Sequence, residues 1–232
     1  MKSTPRFRGP SLLLLATVHF LIFASGLVAA AVLRHGAHFV TPFAPAEELR
    51  AFLALGPTAV RVSNFFLFGS AIPFGIFAVT TVSRLRYLGV RAAGTNIALL
   101  GGLIATIALI LSGIVGWILS VPEVLASAPI VKAVNFLNFL LGGVTFAVGL
   151  GLLAAGVSVT CYFMRLLPRW LVGLGMLMAL TGELSSLSLV AYPANFFIPI
   201  TRYLGFLWMF SVAVTLTKNR KGEQDTPISE GA

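Results

Sequence analysis

Six uninterrupted apolar runs of roughly twenty residues constrain this chain more than anything else in it. They lie near Ser11 to Leu33, Val62 to Val82, Ala93 to Leu119, Ala133 to Thr160, Trp170 to Tyr192 and Pro199 to Leu216. Crossing about 30 Å of hydrocarbon takes about 20 helical residues, and only helices or closed barrels leave no backbone group unsatisfied there. The runs are continuous rather than alternating, which argues against a barrel. Composition agrees, because 58% of the 232 residues are hydrophobic and 10% charged, whereas a soluble domain carries about a quarter charged residues. The single cysteine excludes a disulfide framework. The expected fold is all-α: a polytopic bundle of six transmembrane helices forming one domain over residues 1–217, with 218–232 a disordered cytoplasmic tail.

The net charge of +9 would point to nucleic acid in a soluble domain. Here the bases cluster at the ends of apolar runs, so the bilayer accounts for them and no nucleic-acid partner is expected. Lys2, Arg6, Arg8, Arg84, Arg86, Arg91, Arg165, Arg169, Lys218, Arg220 and Lys221 fall on one side. Arg34, Arg50, Arg61, Lys132 and Arg202 fall on the other. The positive-inside rule then makes both termini cytoplasmic. The first run starts basic and ends in Ala29-Ala30-Ala31, as a cleaved signal does, but its apolar stretch is too long for a signal core, so it reads as an uncleaved anchor.

The longest connection, Arg34 to Val60, has prolines at 42, 45 and 57 bracketing Ala46 to Leu53, which reads as a short amphipathic helix at the outer surface. Small residues mark helix contacts: Gly143, Ala147, Gly151 and Ala155 spaced four apart, then Gly175, Ala179 and Gly182, and Gly69 with Pro73 one turn on.

Several patterns resemble chemistry without its context. Gly149-Leu150-Gly151-Leu152-Leu153-Ala154 matches a dinucleotide fingerprint, which works only at a strand-to-helix turn, so inside an apolar run it means packing. Glu47-Glu48 resembles the start of the Glu-Glu-x-x-x-Arg helix of intramembrane CAAX-type proteases, but position 52 is Phe. His35 and His38 are too few for a metal site, His19 reads as a hydrogen-bonded helix contact and Cys161 as a buried thiol. No catalytic set, metal site or cofactor is expected.

One polar cluster stands out. Glu183 is the only acid inside a span, and nine residues back from Tyr192 put it about 13 Å deep on the outer side. Arg61 and Arg202 start spans from that same side and can reach inward toward it. Asn64, Asn135, Asn138 and Asn195 fall near outer ends of spans, each followed by Phe, with Lys132 close to Asn135. With Thr181, Ser185, Ser186 and Tyr192 they form either a polar, aromatic-walled pocket open to the outside or a set of bonds that only fixes packing.

The six-span layout, with Leu167-Pro168-Arg169-Trp170-Leu171-Val172-Gly173 opening span five and Tyr203-Leu204-Gly205-Phe206-Leu207-Trp208 in span six, resembles a bacterial membrane family catalogued as domain of unknown function 4386. That resemblance implies a bacterial inner-membrane protein with both termini inside, and it brings no activity, catalytic residue or cofactor. The expected function is binding or translocation of a small or lipid-like molecule in the outer pocket. Glu183 would be the anchor, Arg61 and Arg202 its counter-ions, and Asn64, Asn135, Asn138 and Tyr192 would supply the wall. Translocation by so few spans would call for a homo-oligomer. The alternative is an accessory subunit that docks a partner membrane protein. An intramembrane enzyme has the least support.

Overall fold

Proline and one serine set where the helices begin. The Ser11 hydroxyl accepts a hydrogen bond from the Leu14 amide and caps α1 (Leu12–Leu33). Proline occupies the first turn of α3 (Pro57–Tyr87), α5 (Pro122–Leu125) and α6 (Ala128–Phe139), where its missing N–H costs nothing. The remaining helices are α2 (Ala46–Ala54), α4 (Gly94–Ile118), α7 (Phe146–Phe163), α8 (Arg169–Ser185) and α9 (Phe197–Gln224). A π-helical turn, Leu140–Thr145, joins α6 to α7, and two 3-10 turns, Ser186–Leu189 and Tyr192–Phe196, lead from α8 to α9. This computed structural model describes residues 9–34 and 40–224, the side chains of 217–224 excepted.

Six stretches are long and apolar enough to cross a membrane: Leu12–Leu33, Pro57–Tyr87, Gly94–Ile118, Ala128–Phe163, Arg169–Leu189 and Tyr192–Leu216. There is no strand among the described residues. The protein is an all-helical, multi-pass membrane protein, with its spans where the apolar runs predict them. One boundary moves: the backbone of α9 stays helical to Gln224, into the segment expected to be a disordered tail. The rest of that tail, and His35 and His38, lie outside the described residues.

The spans pack in chain order as a ring, α1 on α3, α3 on α4, α4 on α7, α7 on α8 and α8 on α9, with α9 returning to α1. Of an 18-residue apolar stretch in each, 67% is buried inside the protein in the fourth span but only 28% in the first. The fourth span is therefore the hub and α1 the flank, which is why α1 leaves Leu14, Leu21 and Val28 facing outward. Short connections then bring α2, α5 and the α8–α9 turns to one end of the bundle. The opposite end carries the basic connections that include Arg86, Arg91, Arg165 and Arg169; we refer to the two as the loop end and the basic end.

Toward the basic end the core is sealed by backbone contact. A Cβ on Gly101 would come within 2.4 Å of the Leu153 amide nitrogen, and one on Gly156 within 2.5 Å of the Ala98 nitrogen. In lipid, van der Waals packing of such close-approaching helices replaces the hydrophobic drive that operates in water. The predicted contact face of α7 behaves as expected where Gly151 and Ala147 meet Gly182 of α8. Gly149 and Gly151, the literal fingerprint residues, are packing positions. Around these contacts lie Phe74, Phe77, Leu85, Leu153, Met178 and Trp208, all fully buried.

Pro73 lies inside α3 and has no N–H for the Gly69 carbonyl, yet α3 runs on unbroken. One residue further on, the Ser70 carbonyl accepts a hydrogen bond from His19 Nδ1 at 2.8 Å. His19 is thus the interhelical contact its sequence position predicts, set between the tilted rings of Phe74 and Phe206.

Candidate functional site

At the loop end the same helices separate. Between α3, α4, α6, the π turn and α9 they leave a half-open cavity of about 420 Å³, within the range of ordinary ligand sites. Its roof is α2. The apolar face of that helix, Leu49, Phe52 and Leu53, does not lie in lipid but packs with Val60, Leu119 and Val131 and closes one side of the cavity.

The π turn makes the floor. A π-helical turn widens the helix, and such turns concentrate at functional sites. Within it the Gly142 carbonyl points away from its own helix and accepts a hydrogen bond from Arg202 Nη2. Glycine leaves room there for Ser112, because a Cβ on Gly142 would fall 2.3 Å from Ser112 Oγ and displace that hydroxyl. Ser112 in turn donates to Asn138 Oδ1 at 2.6 Å, which leaves the Asn138 amide nitrogen without a bond among the described residues. Gly116 works in the same way, since its missing Cβ leaves space for Asn64, whose Oδ1 would otherwise be 2.0 Å away. Asn64 Nδ2 donates to the Val60 carbonyl at 2.8 Å and fixes the side chain along α3.

Two arginines line this space. Arg202, on the second turn of α9, places its guanidinium carbon 4.8 Å from the Phe146 ring centre and 5.5 Å from that of Phe23. Arg34, at the C-terminus of α1, sits 4.4 Å over Phe52 of α2. The Nε of each is buried without a hydrogen-bond partner. Burial pushes the Arg34 guanidinium down from the ordinary arginine value, because leaving water disfavours its charged form.

Residues 40–44 close over one side. Lys132 Nζ donates to the Pro42 carbonyl at 3.2 Å and to that of Ala44, and Asn135 Nδ2 reaches the Pro42 carbonyl at 3.4 Å. Phe43 then stands edge-on to Phe136, Phe139 and Tyr192. The phenylalanines that follow Asn135 and Asn138 therefore build an aromatic cover.

Of the seven residues predicted as a site, Arg202, Asn64, Asn135 and Asn138 come together in the cavity. Three do not. Glu183 lies on an exposed face of α8 and does not line the cavity, and the one ion pair among the described residues is Arg50–Glu47. The expected pairing of Glu183 with Arg61 or Arg202 is thereby corrected, since the outward turn of α8 points Glu183 away from both. Arg61 is exposed too, its Nε donating to Ser120 Oγ at 3.3 Å beside an outer crevice lined by Phe65, Phe68 and Trp117. Tyr192 belongs to the aromatic cover and not to the cavity lining.

The α8 hydroxyls bond internally. Thr201 donates to Thr181 Oγ1 at 2.8 Å, Ser185 to the Gly182 carbonyl at 2.5 Å and Ser186 to that of Glu183 at 2.6 Å. These hydroxyls are satisfied within the protein, whereas α3, α6 and α9 contribute side chains to the cavity lining. Sequence reasoning missed Arg34 and Ser112, although Arg34 ends α1 on the side that carries the asparagines and Ser112 interrupts an apolar run. Among the described residues no cluster of His, Cys, Asp or Glu can hold a metal.

No family model, curated protein or solved structure matches the chain.

Proposed function

We propose that the protein resides in a bacterial cytoplasmic membrane with both termini inside and binds a small or lipid-like molecule in the cavity, which then faces outward. The excess of Lys and Arg in the connections of the basic end supports the orientation. The resemblance carried by Leu167 to Gly173 and Tyr203 to Trp208 supports the bacterial membrane.

The observation that carries the binding is unspent polar capacity inside an apolar wall. Ser158 Oγ and Trp208 Nε1, buried where α7, α8 and α9 pack, lack partners but do not line the cavity. Here Arg34 Nε and Arg202 Nε are buried and unpartnered, in a space walled by Val40, Leu53, Leu67 and Ile198. Each unsatisfied group of this kind costs about 1–3 kcal/mol, which a bound molecule can offset. The sealed contact of α4 with α7 beneath the π turn favours binding over passage.

The test is native mass spectrometry, with an absorption spectrum, of the detergent-purified protein and of Asn138→Leu. A stoichiometric co-purifying molecule present in the first and lost in the second is the expected result. An empty protein in both cases overturns binding and leaves the accessory subunit as the working account.

A further inference from the structure

Resting on that reading, we infer that the ligand is an anionic amphiphile: a phosphate or carboxylate group held by Arg34 and Arg202, on an apolar chain that leaves the cavity sideways between α1 and α3.

Both arginines line the cavity, yet none of its lining residues is acidic. The four acids whose side chains the structure describes, Glu47, Glu48, Glu123 and Glu183, are all exposed elsewhere, and residues 35–39 contain none. Each guanidinium group has its Nε buried and has lost part of its hydration. Phe23, Phe146, Phe52 and the Gly142 carbonyl compensate partly, but they leave a net positive site with a free Nε on each arginine. An oxyanion is the complement of that arrangement, because it brings negative charge to a cavity whose lining has none and accepts from several N–H groups at once. The free Asn138 amide adds a neutral donor in the same space.

The path for the chain is a second, smaller cavity of about 160 Å³. It is bounded by Phe23, Gly26 and Leu27 on α1 and by Ser63, Asn64 and Leu67 on α3. Arg202, Asn64 and Leu67 line both cavities, so the cationic site stands at their junction. Leu27 is 52% exposed on the outer face of α1, so the slot ends where a lipid chain would run. A main cavity of this size holds a drug-sized molecule, and the slot gives a longer chain an apolar way out.

The experiment is a titration of the delipidated full chain in neutral detergent, read by thermal unfolding and native mass spectrometry. Its probes are dodecyl phosphate, dodecanoate, dodecanol and inorganic phosphate. Both anionic amphiphiles should bind, with dodecanol weaker by about tenfold or more and inorganic phosphate weaker still. Whichever of the two binds tighter separates a phosphate headgroup from a fatty-acid carboxylate as the source. Arg34→Gln and Arg202→Gln should each weaken dodecyl phosphate by about tenfold or more.

Asn138→Asp keeps the fold in play if those variants fail to fold, because it is isosteric and still accepts from Ser112. It supplies the missing carboxylate and should abolish anion binding. Ser63→Phe, which fills the slot, should remove the gain in affinity from dodecyl to hexadecyl phosphate. Dodecanol binding as tightly as dodecyl phosphate overturns the anionic ligand while leaving the binding reading intact. Inorganic phosphate alone binding as tightly overturns the amphiphile. Unchanged anion binding in Asn138→Asp overturns the site, and no binding by any probe overturns this inference and the reading beneath it together.

Discussion

The two ends of this bundle are built from the same helices and use glycine in opposite ways. Toward the basic end, Gly101, Gly149 and Gly156 let the backbones of α4 and α7 touch, and nothing polar intervenes. Toward the loop end, Gly116 and Gly142 let Asn64 and Ser112 stand where a Cβ would be. Where α4 meets α7 the missing side chain removes space, and at Gly116 and Gly142 it admits a polar group. A glycine in a membrane helix is therefore informative only through what faces it. The sealed end supplies rigidity, and the loop end can leave polar groups unsaturated because its neighbour holds the helices in place.

The largest effect should come from breaking the sealed end. Gly101→Leu drives a side chain into the Leu153 nitrogen and the Gly149 carbonyl, neither of which can rotate away. A loss of about 3 kcal/mol is expected, lowering the unfolding midpoint by roughly 6–12 °C. The matching change at the loop end is Gly143→Ala, whose Cβ would meet only the Ile198 side chain at 3.3 Å and that of Phe139 at 3.5 Å. It should cost less than about 1 kcal/mol, because side-chain ends can shift. Thermal unfolding of the two variants in one detergent tests this, and equal losses would erase the distinction between the ends.

Gly116→Ala sharpens the comparison, because it should separate stability from binding. The new methyl displaces Asn64, whose bond to the Val60 carbonyl is worth about 1 kcal/mol. Occupancy of the cavity should fall much further than the midpoint does. Native mass spectrometry beside thermal unfolding reads both, and a midpoint loss as large as that of Gly101→Leu would mean that the loop end is packed as tightly as the other.

A smaller, local effect is expected at the cover. Lys132→Met removes both bonds to the 40–44 segment while keeping the apolar stem beside Phe136. The amides of Phe43 and Ala44, which bond to Thr41, should exchange hydrogen about tenfold faster, equivalent to about 1.4 kcal/mol of local opening. The global midpoint should move by no more than roughly 4 °C. Unchanged exchange would show that Phe43 and its aromatic neighbours hold the cover without the lysine.

What the sequence made legible follows the same division. Spans, the small-residue contacts of α7 with α8 and the short helix at 46–54 all rest on local periodicity and composition, which the chain carries in order. The convergence of Asn64, Asn138 and Arg202 was half legible, because shared depth can be counted along a helix but rotation about its axis cannot. Glu183 shows the difference: its residue type and span were read correctly, and the turn of α8 faces it outward. Arg34 reads in the sequence only as an orientation charge, since its place over Phe52 depends on how α2 folds back. The π turn had only Gly142-Gly143 to announce it, and a wider turn has no periodic signature in so short a stretch.

The smallest expected effect is at Glu183, where sequence alone would place the largest. Glu183 stands in the last turn of α8, two residues before its end, exposed and without an ion pair among the described residues. A carboxylate there faces the negative end of the helix dipole and gains nothing from either arginine. Glu183→Gln should leave cavity occupancy unchanged and stability level or raised by up to about 0.5 kcal/mol, the sign being set by removal of that repulsion. Native mass spectrometry and thermal unfolding of Glu183→Gln beside Arg202→Gln decide the matter. If Glu183→Gln empties the cavity as Arg202→Gln is expected to, α8 must rotate in the membrane to bring the carboxylate inward. The cavity would then be a paired site with no need of an anionic ligand, and the contrast between a saturated α8 and an unsaturated loop end would fail at its most exposed residue.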